Sequence, residues 1–164
     1  MRFARVTLSD RATAGVYEDA SGPAIEDFFR ETVQSAIAWT RVLMPDESIE
    51  LRQKLVSLCE ADHALVVTTG GTGPSARDIT PEATRAVLER ELPGFGEVMR
   101  MNSFAKVKTA ILSRATAGTR GRSLIVNLPG NPRAIGECLP LLLPAIVEAI
   151  DHLRGERLEL VQAG

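Results

Sequence analysis

The sequence predicts an α/β fold, a three-layer sandwich in which helices cover both faces of a mostly parallel sheet. Segments with the apolar pattern of strands alternate along the chain with segments that repeat at helical spacing, as in parallel sheets. The run at 64–69 is apolar and uninterrupted, which is typical of a strand buried on both faces. The 164 residues fit one domain, which is predicted to span residues 1–164.

The first half of the chain is predicted to contain three strands and two helices. Ser21 or Gly22 is suited to cap the first helix, with Pro23 in its first turn, and Asp46 is placed to cap the second. In order, the elements are a strand at 3–8, a polar loop at 9–20, a helix from 21–23 onward, a strand at 37–43, a helix from 46 to about 59 and the strand at 64–69.

The second half of the chain begins with a glycine-rich loop and ends in helices. Thr80 is predicted to cap a helix with Pro81 at its first position. Asn131 is predicted to cap the C-terminal helices, which Pro140 and Pro144 are expected to divide, because proline interrupts helical hydrogen bonding. In order, the elements are the loop at 70–78, a helix from 80 onward, a helix after 93–94, strands at 108–113 and 123–128, and helices after 132.

The composition excludes several classes of function. A formal net charge of −2 with 24% charged residues gives no electrostatic reason to expect a nucleic-acid or membrane partner. Cys59 and Cys138 form no CxxC pair and are expected to be buried apolar thiols in a reducing compartment. His63 and His152 have no second ligand at metal spacing, so we expect structural or surface residues. No signal-peptide pattern and no apolar run of the roughly 18 residues that span a membrane is present, which predicts a cytoplasmic protein.

The glycine-rich loop follows the third predicted strand directly. Gly70, Gly71 and Gly73 leave the backbone bare, and successive bare N–H groups can form a concave nest for phosphate oxygens. Thr72 adds a hydroxyl donor and Arg77 a positive charge. The alternative interpretation is a tight turn that needs positive φ, for which one glycine would be enough. The loop does not match the P-loop pattern, and its match to GxGxx[GA] is interpreted as accidental because the next helix starts later than in a dinucleotide fold.

Two carboxylates, Asp46 and Asp78, fall in loops at expected strand ends, where parallel sheets bind ligands. The loops in question follow Leu8, Leu43, Thr69 and Leu128. One carboxylate with substrate phosphates is enough to hold Mg²⁺, and two would serve phosphoryl or nucleotidyl transfer. The alternative interpretation makes Asp46 an ordinary helix cap and Asp78 a turn residue.

Further segments are candidates for binding an anion. Ser9 and Asp10 end the first strand, and Ser21 with the N–H groups of the following helix can hold an anion or simply cap the helix. Residues 127–132 form a second strand-to-helix turn of the same kind. Ser113 and Arg114 are predicted to end the strand at 108–113 and to place a guanidinium against a phosphate or a polar ring.

Taken in order, these motifs resemble one family, the Mog-type molybdopterin adenylyltransferases, which are related to the G domains of eukaryotic molybdenum-cofactor proteins, including gephyrin. The resemblance covers nearly the whole chain and rests on six motifs in register, whereas GGTG alone would be a weak signal. The motifs are Ser9-Asp10 with Gly15 and Asp19-Ala20-Ser21-Gly22-Pro23, then Pro45-Asp46-Glu47, then Thr69-Gly70-Gly71-Thr72-Gly73-Pro74 with Arg77-Asp78-Ile79-Thr80-Pro81-Glu82-Ala83, then Pro93-Gly94-Phe95-Gly96-Glu97-Val98-Met99-Arg100, then Ser113-Arg114, and finally Leu128-Pro129-Gly130-Asn131-Pro132.

The resemblance implies an activity and a set of site residues. ATP and molybdopterin would react to adenylyl-molybdopterin and pyrophosphate with Mg²⁺, in a trimer of α/β subunits. The family needs the aspartates that match Asp46 and Asp78. We therefore expect both to be catalytic, to hold Mg²⁺ and to position the substrates. The expected binding residues are Ser9, Ser21, Gly70, Gly71, Thr72, Gly73, Ser113, Arg114, Pro129, Gly130 and Asn131.

Alternative functions stay open beside this resemblance. A Moa-type paralogue shares the fold and the GGTG loop, although the run at 93–100 favours the Mog type. The related domain of the nicotinamide-nucleotide deamidase family would make the chain a hydrolase. A non-catalytic carrier would bind molybdopterin without adenylylating it, but passive binding needs no paired carboxylates. The expected partners are small-molecule substrates, further copies of the chain and other molybdenum-cofactor biosynthesis proteins.

The chain departs from some bacterial family members near its C-terminus, where those members carry an extra segment. Residues 131–132 pass straight into helix, as in the eukaryotic G domains. Inferences from the longer form are therefore not carried over, whereas the central site is unaffected.

Overall fold

The centre of the molecule is a six-stranded sheet, seen in a computed structural model that describes residues 1–162. Residues 163–164, the end of the predicted domain, lie outside the described residues. The strands are β1 Arg2–Leu8, β2 Ala38–Met44, β3 Leu65–Thr69, β4 Arg90–Glu91, β5 Ala117–Arg120 and β6 Ser123–Leu128, in the sheet order β2-β1-β3-β6-β5-β4. Strands β2, β1, β3 and β6 are parallel, whereas β5 runs antiparallel to β6 and β4 antiparallel to β5. The predicted mostly parallel sheet is therefore confirmed.

Helices cover both faces of this sheet, as predicted. Helices α2, α5 and α6 share one core cluster with the sheet, and α3 and α4 share the other. The bounds are α1 Asp10–Thr13, α2 Ser21–Thr32, α3 Ser48–Glu60, α4 Thr80–Arg85, α5 Gly94–Lys106, a 3-10 helix Lys108–Leu112 and α6 Pro132–Arg154.

Neighbouring residues of β1 show how the two cores divide the sheet. Phe3 packs on the side of α2 and α6, where its ring meets Phe29 edge to face at 5.4 Å. Ala4 and Val6 pack on the side of α3 and α4, because successive side chains of a strand point to opposite faces. Each large apolar side chain that is fully buried in this way contributes about 1.5–3 kcal/mol to the free energy of unfolding.

The predicted strand at 108–113 is wrong. Residues Lys108–Leu112 form a 3-10 helix with no buried side chain, and Ile111 is 61% exposed. The sheet gains its outer strands from segments with weak strand patterns instead: the exposed pair Arg90–Glu91 and the segment Ala117–Arg120, which contains Gly118. Ser113 and Arg114 therefore follow the 3-10 helix and do not end a strand.

The predicted division of the C-terminal region at Pro140 and Pro144 is also wrong. Helix α6 continues through both prolines, each of which lies on the exposed side. The carbonyl groups left without a partner are those four residues earlier, Gly136 and Pro140, which are themselves exposed and open to water. The opposite side of α6 packs on the sheet, and this burial keeps the helix continuous.

Helix starts differ from the predicted caps at three sites. Asp46 does not cap α3, whose N-cap is Glu47, and α2 starts at Ser21 itself rather than after a Ser21 or Gly22 cap. Thr80 is the first residue of α4 and not its cap. Asn131 is confirmed as a cap, because its side chain accepts a hydrogen bond from the Arg133 N–H. The predicted loop at 9–20 contains α1, which Ser9 caps by accepting from the Ala12 N–H.

The structure describes both cysteines and both histidines. Cys138 is buried as predicted, whereas Cys59, which was also predicted to be buried, is half-buried, and both are free thiols. His63 is buried between the Leu58 carbonyl and the Thr40 hydroxyl, each 2.8 Å away, whereas His152 is exposed. Within residues 1–162, no helix combines the length and apolar character that a membrane crossing requires.

Candidate functional site

The carboxyl ends of four parallel strands meet at one edge of the sheet. The strand register places Leu8 beside Met44, Thr7 beside Thr69 and Thr69 beside Leu128. The chain leaves β1 toward β2 on one side, while β3 lies on the other, so the strand order reverses between β1 and β3. Ligands of open α/β sheets bind at such a reversal. The loops that the sequence singled out are thereby brought together.

The glycine loop needs its glycines for conformation and for space. Gly70 and Gly71 have φ values of 94° and 65°, in the left-handed region that disfavours a side chain. A Cβ on Gly70 would collide with the Leu8 carbonyl oxygen, and a Cβ on Gly71 would lie 2.9 Å from Asp46 Oδ1. A tight turn alone needs one glycine with positive φ. Here two glycines have positive φ, and the absence of their side chains lets the loop pack against Leu8 and Asp46.

Hydrogen bonds fix the loop to both adjacent elements. The Thr80 hydroxyl donates to the Gly70 carbonyl at 2.9 Å, and the Thr69 hydroxyl donates to the Pro129 carbonyl at 2.8 Å. A Cβ on Gly130 would lie 3.3 Å from Gly70 Cα, so the loop after β6 packs directly on the loop after β3. Two of the predicted binding segments therefore form one surface.

Arg114 holds the glycine loop from the other side. Its side chain donates to the Gly73 carbonyl at 2.9 Å and to the Asp78 carbonyl at 2.7 Å, and it pairs with Glu82. Its backbone N–H donates to the Thr72 carbonyl. Arg114 therefore lies beside the glycine loop, as predicted. Its guanidinium was predicted to face a phosphate or a polar ring, whereas in the structure it bonds to the loop itself.

Asp46 carries a carboxylate with one bonded oxygen and one free oxygen. Oδ2 accepts from the Asp10 N–H at 3.2 Å, whereas Oδ1 is buried and has no hydrogen-bond partner among the described residues. Burial raises the pKa of Asp46, and the negative charges of Asp10 and Asp78 raise it further. A buried carboxylate oxygen without a partner is costly unless a ligand supplies one.

Asp78 lies on the other side of the glycine loop. A Cβ on Gly73 would lie 2.8 Å from its Oδ2, which accepts from the Ser75 N–H at 2.9 Å and from the Ser75 hydroxyl at 2.6 Å. Asp78 therefore does act as a turn residue. The carboxylate of Asp78 also adds a second negative charge at the loop, and this charge contributes to raising the pKa of Asp46.

Arg77 is directed at carboxylates in the two neighbouring loops. Its guanidinium donates to both Asp10 oxygens at 2.9 and 2.8 Å and to Glu47 Oε1 at 3.1 Å. These bonds raise the pKa of Arg77, Asp10 contributing most, and hold the pKa of Asp10 below its usual value. Arg77, whose positive charge was predicted to serve a phosphate site, is thus already paired with Asp10 and Glu47.

Three clefts surround this edge and contain eight of the eleven predicted binding residues, whereas Gly71, Thr72 and Gly73, like Asp46, line none of these three clefts. The volumes are about 260, 250 and 420 Å³. Ser9, Ser21, Gly70 and Gly130 line the first, Ser113, Pro129 and Asn131 the second, and Asp78 and Arg114 the third. In the first cleft the Ser21 hydroxyl donates to the Gly130 carbonyl at 2.6 Å. Within residues 1–162, no group of three or more His, Cys, Asp or Glu side chains forms a ready-made metal cage.

Three further residues lie at the candidate site, although none of them was assigned a role there from the sequence. Asp10 bonds to Asp46, Tyr17 lines the first cleft beside Ser9 at 2.7 Å, and Arg100 lines the second cleft while donating to the Ala115 carbonyl. Asp10 and Arg100 lay inside recognised motifs, but no spacing rule indicated their contacts.

Comparison with known families and proteins gives a consistent result. Residues 4–148 match the family model described as "Probable molybdopterin binding domain". The chain is 47% identical over 156 residues to a Helicobacter pylori protein named molybdopterin adenylyltransferase, covering 94% of this chain and 89% of that relative. It is 47% identical over 140 residues to the Escherichia coli K12 protein of the same name, covering 85% and 72% respectively.

Solved structures share the fold. A Thermus thermophilus structure titled as the molybdopterin biosynthesis enzyme MoaB superposes with a TM-score of 0.86 at 37% identity, covering 95% of this chain and 98% of that one. The molybdopterin biosynthesis Mog protein from Mycobacterium ulcerans gives a TM-score of 0.86 at 34% identity, covering 93% and 98%. Fold similarity is therefore the same toward structures of both names.

Proposed function

The chain belongs to the family of molybdopterin-binding domains, and we propose that it transfers the adenylyl group of ATP to molybdopterin. Its bacterial relatives at 47% identity are named molybdopterin adenylyltransferases, so the activity is a nucleotidyl transfer in molybdenum-cofactor biosynthesis. The observation in the structure that best supports this function is the buried, unpartnered Oδ1 of Asp46 beside the glycine loop.

The chemistry requires little covalent participation by the protein. The terminal phosphate oxygen of molybdopterin attacks the α-phosphorus of ATP, the bond from that phosphorus to the bridging oxygen breaks, and pyrophosphate leaves. Catalysis then depends on holding the two substrates in line and on stabilising negative charge. In this proposal the backbone N–H groups of Gly70, Gly71 and Gly73 donate to phosphate oxygens, as successive N–H groups of a glycine-rich loop can do.

The first two clefts suit a reaction between two substrates. Gly130 lines the first cleft, and its neighbours Pro129 and Asn131 line the second, so one short loop separates the two spaces. Gly70 packs on Gly130 at that boundary. Substrates bound on either side would meet at the glycine loop, which is where phosphate oxygens can be bound.

The residues present fit Mg²⁺ at this loop. Asp46 Oδ1 has no hydrogen-bond partner among residues 1–162, and burial together with the charges of Asp10 and Asp78 raises the pKa of Asp46, so a cation would relieve both conditions. Asp46 and Asp78 would hold the ion together with substrate phosphates, because Mg²⁺ needs few protein ligands. When bound, the ion neutralises charge on the phosphate under attack.

Self-association into a homotrimer is part of the proposal. Five large apolar side chains are exposed on α5 and on the 3-10 helix that contacts it. They are Val98, Met101, Phe104, Ile111 and Leu112. A group of exposed apolar side chains on adjoining elements is typical of an interaction surface.

A second candidate is the Moa-type function, because a structure named MoaB matches the fold as well as one named Mog. A Moa-type protein would differ in activity, and a carrier would bind molybdopterin without adenylylating it. The names of the more similar curated relatives favour the transferase.

A turnover assay with mass spectrometry tests the proposal. Purified protein is incubated with molybdopterin and Mg-ATP, and adenylyl-molybdopterin is sought in parallel with Asp46→Ala and the surface control Asp27→Ala. We expect product from the unchanged protein and from Asp27→Ala, whose side chain is 55% exposed in an ion pair with Arg30, but not from Asp46→Ala. Molybdopterin binding without product from the unchanged protein would replace the transferase with the Moa-type or carrier function.

A further inference from the structure

Asp10 and Asp46 exchange hydrogen bonds across two loops. The Asp10 N–H donates to Asp46 Oδ2 at 3.2 Å, and the Asp46 N–H donates to Asp10 Oδ1 at 3.0 Å. Each residue therefore fixes the backbone and the side chain of the other. The pair joins the loop after β1 to the loop after β2, which neighbour each other in the sheet.

The reciprocal bonds determine which Asp46 oxygen stays available. Oδ2 is occupied by the Asp10 N–H, and the rotation of the carboxylate is thereby fixed. Oδ1 is left buried, without a partner among residues 1–162, at the point where a Cβ on Gly71 would lie 2.9 Å away. A free carboxylate would rotate and share its two oxygens with water instead.

Asp10 is itself held by the third loop. Arg77 donates to both Asp10 oxygens at 2.9 and 2.8 Å, and the same guanidinium reaches Glu47, the residue after Asp46. Arg77 precedes Asp78 in the chain, so these hydrogen bonds also connect Asp10 to the glycine loop. The hydrogen bonds from Arg77 lower the pKa of Asp10.

We propose that Asp10 is a positioning residue, which orients the Asp46 carboxylate so that Oδ1 faces the glycine loop for ligand binding. The inference rests on the proposed adenylyl transfer for its effect on turnover. Its structural part, the restraint of Asp46 by Asp10, stands independently. Asp10 does not touch the reacting atoms in this arrangement; it acts through Asp46.

The test compares Asp10→Ala with Asp10→Asn. Alanine removes the acceptor for the Asp46 N–H, whereas asparagine keeps a carbonyl oxygen in that place. We expect Asp10→Ala to lower kcat about 10- to 100-fold, as for residues that orient a ligand-binding side chain. The KM for ATP should change by less than about threefold, because the lost restraint acts mainly in the transition state. Asp10→Asn should recover part of kcat.

A matched control separates positioning from stability. Asp62 also forms a two-bond pair with an arginine, Arg154, at 2.9 Å for each bond, but it precedes β3 at the opposite edge of the sheet. Asp62→Ala removes that pair and places alanine at a φ of 60°, so it costs the fold at least as much as Asp10→Ala. We expect Asp62→Ala to lower the Tm while kcat stays unchanged.

Amide hydrogen exchange of the Asp46 N–H, read by NMR, tests the restraint without using turnover. The exchange should accelerate in Asp10→Ala and slow again in Asp10→Asn. Unchanged kcat in Asp10→Ala, or unchanged protection of the Asp46 N–H, would overturn the proposal. If the unchanged protein makes no adenylyl-molybdopterin, the proposed function fails, and the exchange measurement alone then decides whether Asp10 positions Asp46.

Discussion

Two groups of charged side chains near the same strands show opposite electrostatic balance. Under α2, the Arg5 and Arg41 guanidiniums bond to Glu26, and Arg5 also bonds to Asp19 at 2.6 Å. These cations hold the pKa of Glu26 below its usual value, with Arg41 contributing most. At the sheet edge, burial and neighbouring carboxylates instead raise the pKa of Asp46.

We take this difference as support for the proposal that the group under α2 stabilises the fold and that the Asp46 carboxylate binds a ligand. In the group under α2, every named carboxylate has a cation or a backbone donor, and Asp19 also accepts from the Thr7 hydroxyl and the Gly22 N–H. At the carboxyl ends of the strands, Arg77 pairs with Asp10 and Glu47, and no donor among the described residues 1–162 reaches Asp46 Oδ1. Removing the charge of Glu26 should therefore lower the free energy of unfolding, whereas removing the charge of Asp46 should not.

Asp46→Asn should give the largest effect, and only on activity. We expect kcat to fall about 100- to 1,000-fold, equivalent to about 3–4 kcal/mol of transition-state stabilisation. The free energy of unfolding should stay equal or rise, since the substitution removes a buried charge beside Asp10 and Asp78. Steady-state kinetics and urea unfolding check the two parts. A clear loss of stability would show that the carboxylate is structural after all.

Glu26→Gln should have the opposite profile. It leaves Arg5 partly unpaired where its side chain is only 11% exposed, so we expect a loss of about 3 kcal/mol in the free energy of unfolding. Turnover per folded molecule should be unchanged. Urea titration followed by circular dichroism measures this effect, and a loss below about 0.5 kcal/mol would mean that the pairing is as weak as on a surface.

The stability loss in Glu26→Gln should also depend on pH. Because the folded pKa of Glu26 is lowered, its stabilisation is fully present above the unfolded pKa and is lost as pH falls through the folded pKa. The two proteins should therefore differ in stability at neutral pH and converge well below about pH 4. A difference that persists unchanged into acid would assign the effect to packing.

Glycine substitutions give the smallest effects and separate loop from helix. Gly71→Ala places a side chain at a φ of 65° against Asp46 Oδ1 and the Thr80 hydroxyl, and we expect a loss of about 1–2 kcal/mol together with reduced turnover. Gly136→Ala in α6 meets no atom within 4 Å and should stabilise the protein by about 0.5–1 kcal/mol. Thermal unfolding of both variants makes the comparison. Equal effects would show that the glycine loop is not specially constrained.

Local patterns predicted the inner sheet well because burial there leaves a clear mark on sequence. Strands β3 and β6 are buried throughout, and both were predicted. At the outer strands, burial does not mark the sequence in this way. Strand β4 consists of two exposed residues, and β5 contains Gly118, where a Cβ would collide with the Arg90 carbonyl oxygen. Tertiary packing also overrides proline in α6, where Pro140 and Pro144 face water.

Topology predicted which loops meet at the candidate site, but not how their side chains bond. The rule for parallel sheets placed the loops after β1, β2, β3 and β6 at one edge, which the strand register confirms. The bonds from Arg77 to Asp10 and Glu47 join residues 67 and 30 positions apart, and no periodicity encodes such contacts. For the same reason Asp46 was open to interpretation as a helix cap, which the start of α3 after Glu47 rules out.

We propose that Asp46, whose Oδ1 has no hydrogen-bond partner among residues 1–162, receives a ligand, while the paired Glu26 carboxylate does not. The most direct measurement is ¹³C NMR of both side-chain carboxyl groups during addition of Mn²⁺ with an ATP analogue whose α,β-bridge cannot be cleaved. We expect strong paramagnetic broadening of the Asp46 carboxyl signal and none for Glu26. Equal broadening of both signals, or broadening of neither while the analogue is bound, would contradict it.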